Sequence, residues 1–331
     1  MDDQRTRDEA AGPGALVVGV DGSAHARDAL AWAVDEAVAR GAELVVVGVA
    51  PTAPDRVPGW WTQAGDIEAT WQAVVDDAVG LAFTRDPSVP VRGTVRWGAA
   101  ADELVGAASA ADLLVVGARG AGGFTGLLVG SVADRCLRRA RGPVAVVRPA
   151  APADRVGEWG GRVVVGIDGS DDARGALRWA LDDARLHHGS VEAVVAWQYP
   201  PTHAVVATAA LRFAEAAEEV GRRARADAER LAPGVPVTVT VVDEAIVPAL
   251  VDRARGAALL VVGSHGQGAY RDVLLGSVAA QCAHHAECTV VVVHGATAPL
   301  DGPDVRGAAV RDALVGAQAT GRRDERSEET P

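Results

Sequence analysis

The sequence predicts an α/β protein of two tandem domains, each a doubly wound five-stranded parallel sheet, and three observations carry that expectation. Its 331 residues are too many for one small domain and suit two of about 150. The chain is written twice: Val17-Val18-Gly19-Val20-Asp21-Gly22-Ser23 returns as Val164-Val165-Gly166-Ile167-Asp168-Gly169-Ser170, and Leu113-Leu114-Val115-Val116-Gly117 returns as Leu259-Leu260-Val261-Val262-Gly263. Within each copy, short valine-rich runs alternate with longer amphipathic stretches, the pattern of parallel strands covered by helices on both faces.

In the first copy the apolar runs place strands at Ala15–Asp21, Leu44–Ala50, Val89–Val95, Asp112–Gly117 and Val144–Arg148. Helical periodicity fills the gaps at Ser23–Arg40, Ile67–Phe83, Ala99–Ala110 and Ser131–Arg141. Ser23 and Ser131 stand where an N-cap is wanted, as do Ser170 and Ser277 in the second copy, while Asp171 and Asp172 place negative charge in a first helical turn. The expected layout is a disordered N-terminus over 1–14, domains over 15–148 and 162–294, a Pro/Gly-bearing linker over 149–161, and a polar, disordered tail over 295–331. Val305–Gly316 has the pattern of one weak helix within that tail.

Composition excludes several classes of function. A chain that is 49% hydrophobic is not disordered, and a net charge of -12 argues against nucleic acid, whose phosphates need a basic face. There is no lysine; every one of the 32 basic residues is arginine, which removes the P-loop, the kinase strand lysine and Schiff-base chemistry. The start of the chain is charged rather than apolar, and the longest uncharged stretch, Ala193–Leu211, is broken by Pro200, Pro201 and His203; neither a signal peptide nor a membrane span is expected. Three cysteines without a C-x-x-C pair fit a reducing cytoplasm.

The pattern G-x2-G-x9-G-S occurs twice between an apolar strand and a helix, as Gly117-Ala118-Arg119-Gly120 before Gly130-Ser131 and as Gly263-Ser264-His265-Gly266 before Gly276-Ser277. Glycines admit positive φ and close approach of backbone N–H groups to an anion, and the helix start adds its amides and dipole. Arg119 and His265 hold one position of the two loops, suited to a phosphate or ribose oxygen. The plainer alternative is a glycine-rich connection with no ligand.

These loops, with the opening Val-Gly-Val-Asp-Gly-Ser, resemble the universal stress proteins of the ATP-binding type in their tandem two-domain form, over about Ala15–Arg148 and Arg162–His294. The resemblance implies a Rossmann-like, adenine-nucleotide alpha-hydrolase-like fold, bound ATP and pairing through the last strand; in the loops themselves Ser131 and Ser277 offer a hydroxyl donor or a ligand for a phosphate-bound Mg²⁺. It implies an ATP site of Val20, Asp21, Val49, Val116, Gly117, Arg119, Gly120, Gly130, Ser131 and Val132 in domain 1. In domain 2 the implied site is Ile167, Asp168, Trp197, Val262, Gly263, His265, Gly266, Gly276, Ser277 and Val278. Trp197, taken as the counterpart of Val49, would stack on adenine or fill its place; Ala258 for Asp112 and Thr289 for Pro143 put the second site's affinity in doubt.

The expected function is a nucleotide-dependent regulator in the stress response, with a slow ATP hydrolase and a structural dimer with vestigial pockets as alternatives. Asp21 and Asp168 lack a partner whose spacing recommends catalysis, so no catalytic residue is expected. Cys282, His284, His285 and Cys288 fit no closed zinc pattern; Cys136, the repeat partner of Cys282, has no histidine near it and suggests packing, as Trp32 and Trp179 do. Trp60, Trp61 and Trp71 stand near a pocket or interface in copy one only. The last strand leaves an open valine edge in each copy, and pairing the two edges gives an intramolecular pseudo-dimer, with a homodimer as a further level.

Overall fold

The computed structural model of the chain describes residues 10–52, 64–120, 129–149, 161–198, 207–266 and 275–295. Domain 1 runs β1 (Ala15–Val20), α1 (Ala24–Arg40), β2 (Glu43–Ala50), α2 (Ala64–Arg85), β3 (Val91–Trp97), α3 (Ala100–Ala107), β4 (Leu113–Gly117), α4 (Ser131–Arg139) and β5 (Val144–Val147). Domain 2 repeats it as β6 (Arg162–Gly166), α5 (Asp171–Leu186), β7 (Ser190–Trp197), α6 (Ala207–Leu231), β8 (Val237–Asp243), α7 (Ile246–Arg253), β9 (Leu259–Gly263), α8 (Ser277–His285) and β10 (Thr289–Val293). The linker core, the tail with its weak helix, and Trp60 and Trp61 lie outside the described residues.

All ten strands form one sheet in the order β3-β2-β1-β4-β5-β10-β9-β6-β7-β8. Within each half the pairs are parallel, and the chain order reverses between β1 and β4, and again between β6 and β9. The inner strands are valine-rich and buried because helices cover both faces; the edge strands β3 and β8 are only half-buried and carry Arg92, Arg96, Thr238 and Thr240. β3 starts two residues later than its apolar run because Pro90 has no N–H to pair; its carbonyl instead accepts from Leu44 N–H (2.9 Å).

Ser23 and Ser170 cap their helices as expected, their hydroxyls accepting from Ala26 N–H (3.1 Å) and Ala173 N–H (3.2 Å). Ser131 and Ser277 do not: the caps are Gly130 and Gly276, in extended backbone, and each serine is the first helical residue. The chain also gains order earlier than expected. Ala11 is buried with its N–H on Ala107 O (3.0 Å), and Gly14 N–H reaches Asp112 Oδ1 (3.0 Å), so the end of the 1–14 segment packs against domain 1. Cys136 and Cys282 are fully buried in the core, which pushes both thiols up to about 12 and leaves them as small apolar groups.

The halves meet where β5 and β10 pair antiparallel, Val144 opposite Val292 and Val146 opposite Val290. Both valine edges are consumed within one chain. Beside that seam, α1 and α5 bring together Glu36, Arg40, Asp183 and His187, with the two carboxylates only 2% and 3% exposed. Arg40 Nη2 lies 2.5 Å from Glu36 Oε1 and 3.7 Å from Asp183 Oδ1, and its guanidinium sits 5.3 Å from the Trp179 ring centroid. His187 Nε2 is 2.8 Å from Glu36 Oε2 and 3.8 Å from Asp183 Oδ1. Burial and the neighbouring Glu36 charge push the Asp183 carboxyl up to about 7; burial acts the same way on Glu36, but its His187 hydrogen bond and the Arg40 charge outweigh it and hold Glu36 low. Three of these side chains have ligand atoms within 4.8 Å of one another, yet Arg40 already supplies the cation that a metal would bring.

Candidate functional site

In each domain the strand order reverses beside β1 or β6, and the carboxyl ends of the strands open a cleft there, the usual place for a ligand in a doubly wound sheet. Asp21 and Asp168 lie just past those strands. Gly22 (φ 78°) and Gly169 (φ 86°) turn the chain through left-handed backbone, letting each carboxylate fold back onto the next residue: Ser23 N–H donates to Asp21 Oδ1 (3.0 Å) and Ser170 N–H to Asp168 Oδ1 (2.9 Å). The other carboxylate oxygen faces the glycine loop, so closely that a Cβ on Gly120 would lie 2.6 Å from Asp21 Oδ2, and one on Gly266 2.7 Å from Asp168 Oδ2.

None of the six loop glycines has the expected positive φ; five of them serve close approach, and Gly130 alone would meet a Cβ only at ordinary contact distance, 3.4 Å. A Cβ on Gly117 would meet the His25 carbonyl oxygen at 2.7 Å, and one on Gly263 the Asp172 carbonyl carbon at 2.7 Å, so the strand end is pressed against the first turn of α1 or α5. Gly276 stands against Ser264 O at 2.9 Å in the same sense. Several loop amides are already used: Gly130 N–H closes its loop on Ala118 O (2.7 Å), Gly276 N–H on Ser264 O (2.8 Å), and His265 N–H is held by Asp172 Oδ2 (3.0 Å). The first helical turn, beginning at Ser131-Val132 and Ser277-Val278, offers an anion its own amides together with the helix dipole. Residues 121–128 and 267–274 lie outside the described residues.

In domain 2 the expected residues enclose a cavity of about 660 Å³. Ile167, Asp168, Val262, Gly263, His265, Gly266, Gly276, Ser277 and Val278 line it, joined by Val194, Ala196, Ile246 and Leu250. Trp197 is the exception. Gly19 pairs with Val47 and Gly166 with Val194, so the register makes Ala196 the counterpart of Val49. Side chains alternate across a strand, and Trp197 packs on the opposite face with Val195 and Ala193. It neither stacks in the cavity nor fills it. Ala258 and Thr289 do not bear on affinity either, since both stand at the amino ends of their strands, away from the cleft.

Domain 1 shows the matching arrangement. Asp21, Gly117, Arg119, Gly120, Gly130, Ser131 and Val132 occupy the equivalent strand end, loop and helix start, with Val49 and Val116 on the core face beneath. Val20 turns its side chain to the other core, under α1 and α2, so it offers the site backbone only. Trp71 stands over β2, where a Cβ on Gly48 would meet its ring at 3.4 Å.

Sequence reasoning passed over one cluster. Asp172, in the first turn of α5, reaches the domain 2 loop: its Oδ2 accepts from Ser264 Oγ (2.8 Å) and from His265 backbone N–H (3.0 Å), with His265 Nδ1 at 3.3 Å. Ser264 Oγ is also 2.9 Å from that ring nitrogen. Hydroxyl and carboxylate both face Nδ1 and Ser264 is 1% exposed, so the trio is a tether, unlike a nucleophilic triad, in which the two partners take opposite ring nitrogens. Domain 1 has His25, Ala118 and Arg119 in those places. Aligning the copies position by position, rather than by shared motif, would have exposed the difference.

Two more residues tie the loops to the other domain. Arg148, past β5, donates to Ala283 O and to His284 O (3.3 Å) at the end of α8; His294, past β10, places Nε2 2.6 Å from Leu137 O and Nδ1 2.9 Å from Gly142 O at the end of α4. Burial, with the Arg119 charge acting the same way, lowers the Arg148 pKa. Burial also lowers that of His294, with His265 acting alongside and Asp172 opposing.

The universal stress protein family model matches residues 14–148 and again 161–294. Two universal stress proteins of Mycobacterium tuberculosis are 31% and 33% identical over 304 and 291 residues, each covering 84% of this chain and respectively 94% and 96% of the relative. A universal stress protein structure from Archaeoglobus fulgidus shares the fold with a TM-score of 0.62 at 18% identity, over 86% of this chain and 97% of its own. A putative universal stress protein from Pseudomonas aeruginosa does so at 0.56 and 14%, over 92% and 98%. A family match on both halves, with relatives above 30% identity along most of the sequence, establishes that this chain belongs to the universal stress protein family in a tandem two-domain form.

Proposed function

We propose that the chain is an ATP-binding, nucleotide-dependent regulator in the stress response, in which occupancy of the clefts biases the conformation of a two-domain unit. The stress-response role rests on family membership. The nucleotide rests on one observation: a glycine cradle whose first two glycines, Gly117 and Gly120 or Gly263 and Gly266, leave no room for a Cβ recurs in both domains at the reversal point of the sheet, in front of a helix N-terminus. That cradle fits a phosphate group. In domain 2 it adjoins an apolar wall of Val194, Ala196, Ile246 and Leu250 suited to a base. ATP·Mg²⁺ would be held by the loop and helix-start amides, with Ser131 or Ser277 offering a hydroxyl at the metal.

The same reading treats the chain as an intramolecular pseudo-dimer. The antiparallel β5–β10 pair supports it, because it leaves no last-strand edge for a second copy. Denaturing the purified full-length protein and identifying the released small molecules tests the ligand. Adenine nucleotide, or a rise in melting temperature when ATP and Mg²⁺ are added to stripped protein, is the expected result. Protein that releases none and is not stabilised by either defeats the proposal.

A further inference from the structure

The two clefts share a backbone but not a charge. At five equivalent positions domain 1 has Asp21, His25, Ala118, Arg119 and Arg148, whereas domain 2 has Asp168, Asp172, Ser264, His265 and His294. With histidines neutral, the first set holds two guanidinium groups against one carboxylate and the second holds two carboxylates with no arginine. In domain 1, Arg119 Nε is buried without a hydrogen-bond partner among the described residues, and Arg119 lies near enough to Arg148 to act on its ionisation. In domain 2 the equivalent ground is taken. The Asp172 carboxylate, itself an anion, occupies the His265 backbone N–H and the Ser264 hydroxyl, two donors that an incoming phosphate would want.

We propose that the clefts take different ligand tails: domain 1 the polyphosphate, and domain 2 an adenine nucleoside or a nucleotide bearing at most one negative charge, because Asp172 stands in for the phosphate there. The proposal rests on the nucleotide reading above and sharpens it. The glycine cradle and apolar wall of the domain 2 cavity remain available to the uncharged body of the ligand, so the discrimination falls on the tail alone. Charge repulsion supplies it: a polyanion entering beside Asp168, with the Asp172 carboxylate held directly behind the lining residues Ser264 and His265, meets like charge in a partly desolvated site, and like charges are disfavoured more strongly as water is excluded.

Titration calorimetry of the nucleotide-stripped full-length chain tests this with ATP·Mg²⁺ and adenosine as probes. The expected stoichiometry is one ATP per chain, with adenosine still binding one site when ATP is saturating. The variant D172H/S264A/H265R, which installs the residues domain 1 already tolerates, should gain a second ATP site, its affinity rising at least about tenfold over wild type. Two equivalent ATP sites in the wild type overturn the inference, as does adenosine binding that saturating ATP abolishes entirely. An unchanged ATP stoichiometry in the folded triple variant does so as well. If neither ATP nor adenosine binds, the nucleotide reading itself fails and takes this one with it, a result distinct from two equal sites.

Discussion

Five arginines of the first domain are histidines at the same places in the second, among them Arg40 and His187, Arg119 and His265, and Arg148 and His294. At the domain joint and past the last strands the contacts survive the exchange. Arg40 and His187 both face the Glu36–Asp183 pair, and Arg148 and His294 both reach carbonyl oxygens closing a helix of the opposite domain. Duplication has thus kept the geometry while separating the chemistry, with permanent charge in one half and titratable charge in the other. A backbone contact is hard to alter without moving a helix. The group that fulfils it is easier to change.

The strongest way to break that comparison is at the domain joint. Arg40→Ala leaves two nearly buried carboxylates with only His187 to compensate them, and losing one member of such a cluster costs roughly 3 kcal/mol or more. His187→Ala removes a partner that is neutral for part of the time, and should cost about 1–2 kcal/mol. Urea unfolding of the full chain measures both. Equal losses would mean that the histidine is as fully charged as the arginine, and the distinction between halves would fall at this position.

The cradles, by contrast, should behave alike. Gly117→Ala and Gly263→Ala each push a methyl group against backbone atoms at 2.7 Å, at His25 or at Asp172, so a helix start must shift at a cost of about 1–3 kcal/mol in either domain. Thermal unfolding of the two variants should agree within about 1 kcal/mol. A larger gap would show that the clefts differ in backbone as well as in side chains.

Backbone similarity is also what the sequence displayed best. The valine runs, the repeat and the G-x2-G-x9-G-S spacing locate β1, β4, α4 and their counterparts within a residue or two, because such patterns follow from local sterics and burial. What escaped was contact between segments distant in sequence. Asp172 meets Ser264, and Glu36 meets Asp183, only after folding, and no local spacing encodes either approach. The misassigned Trp197 fails for a subtler reason. A slip of one residue in aligning β7 with β2 moves a side chain to the other face of the sheet, and only the hydrogen-bond register fixes Ala196 as the match for Val49.

Titration sharpens the comparison further. Asp183 and His187 are both shifted upward, by burial with the Glu36 charge for the acid and by the Glu36 hydrogen bond for the imidazole. The folded chain therefore binds more protons at the joint than the unfolded chain does, and its stability falls as pH rises. Asp183 loses its share as pH rises from the ordinary carboxylate range to about 7. Above the ordinary histidine value of 6.5 the lowered His294 no longer opposes that trend, so the last of the Asp183 loss, up to about 7, and the His187 loss show there together. Melting temperature should decline across that window. Asp183→Asn should flatten the decline most, and His187→Arg, which copies the first domain, should remove the imidazole's share. A decline unchanged in both variants would place the pH dependence elsewhere.

The smallest effect is expected where the domains differ without consequence. Asp35 and Asp182 are equivalent, yet Asp35 pairs across to Arg85 on α2 at 2.5 Å, whereas Asp182 pairs with Arg185 on its own helix at 2.9 Å. Both pairs are exposed, 46% and 37% for the first and 60% and 45% for the second, so water and salt screen them. Hydrogen bonding to Asp35 raises the Arg85 pKa, but a guanidinium is charged at any working pH, so the shift has no effect on stability near neutrality. Arg85→Ala and Arg185→Ala should each cost less than about 1 kcal/mol and lose even that in high salt. A cost at Arg85 near that of Arg40 would mean that exposed charge, and not only buried charge, separates the two halves.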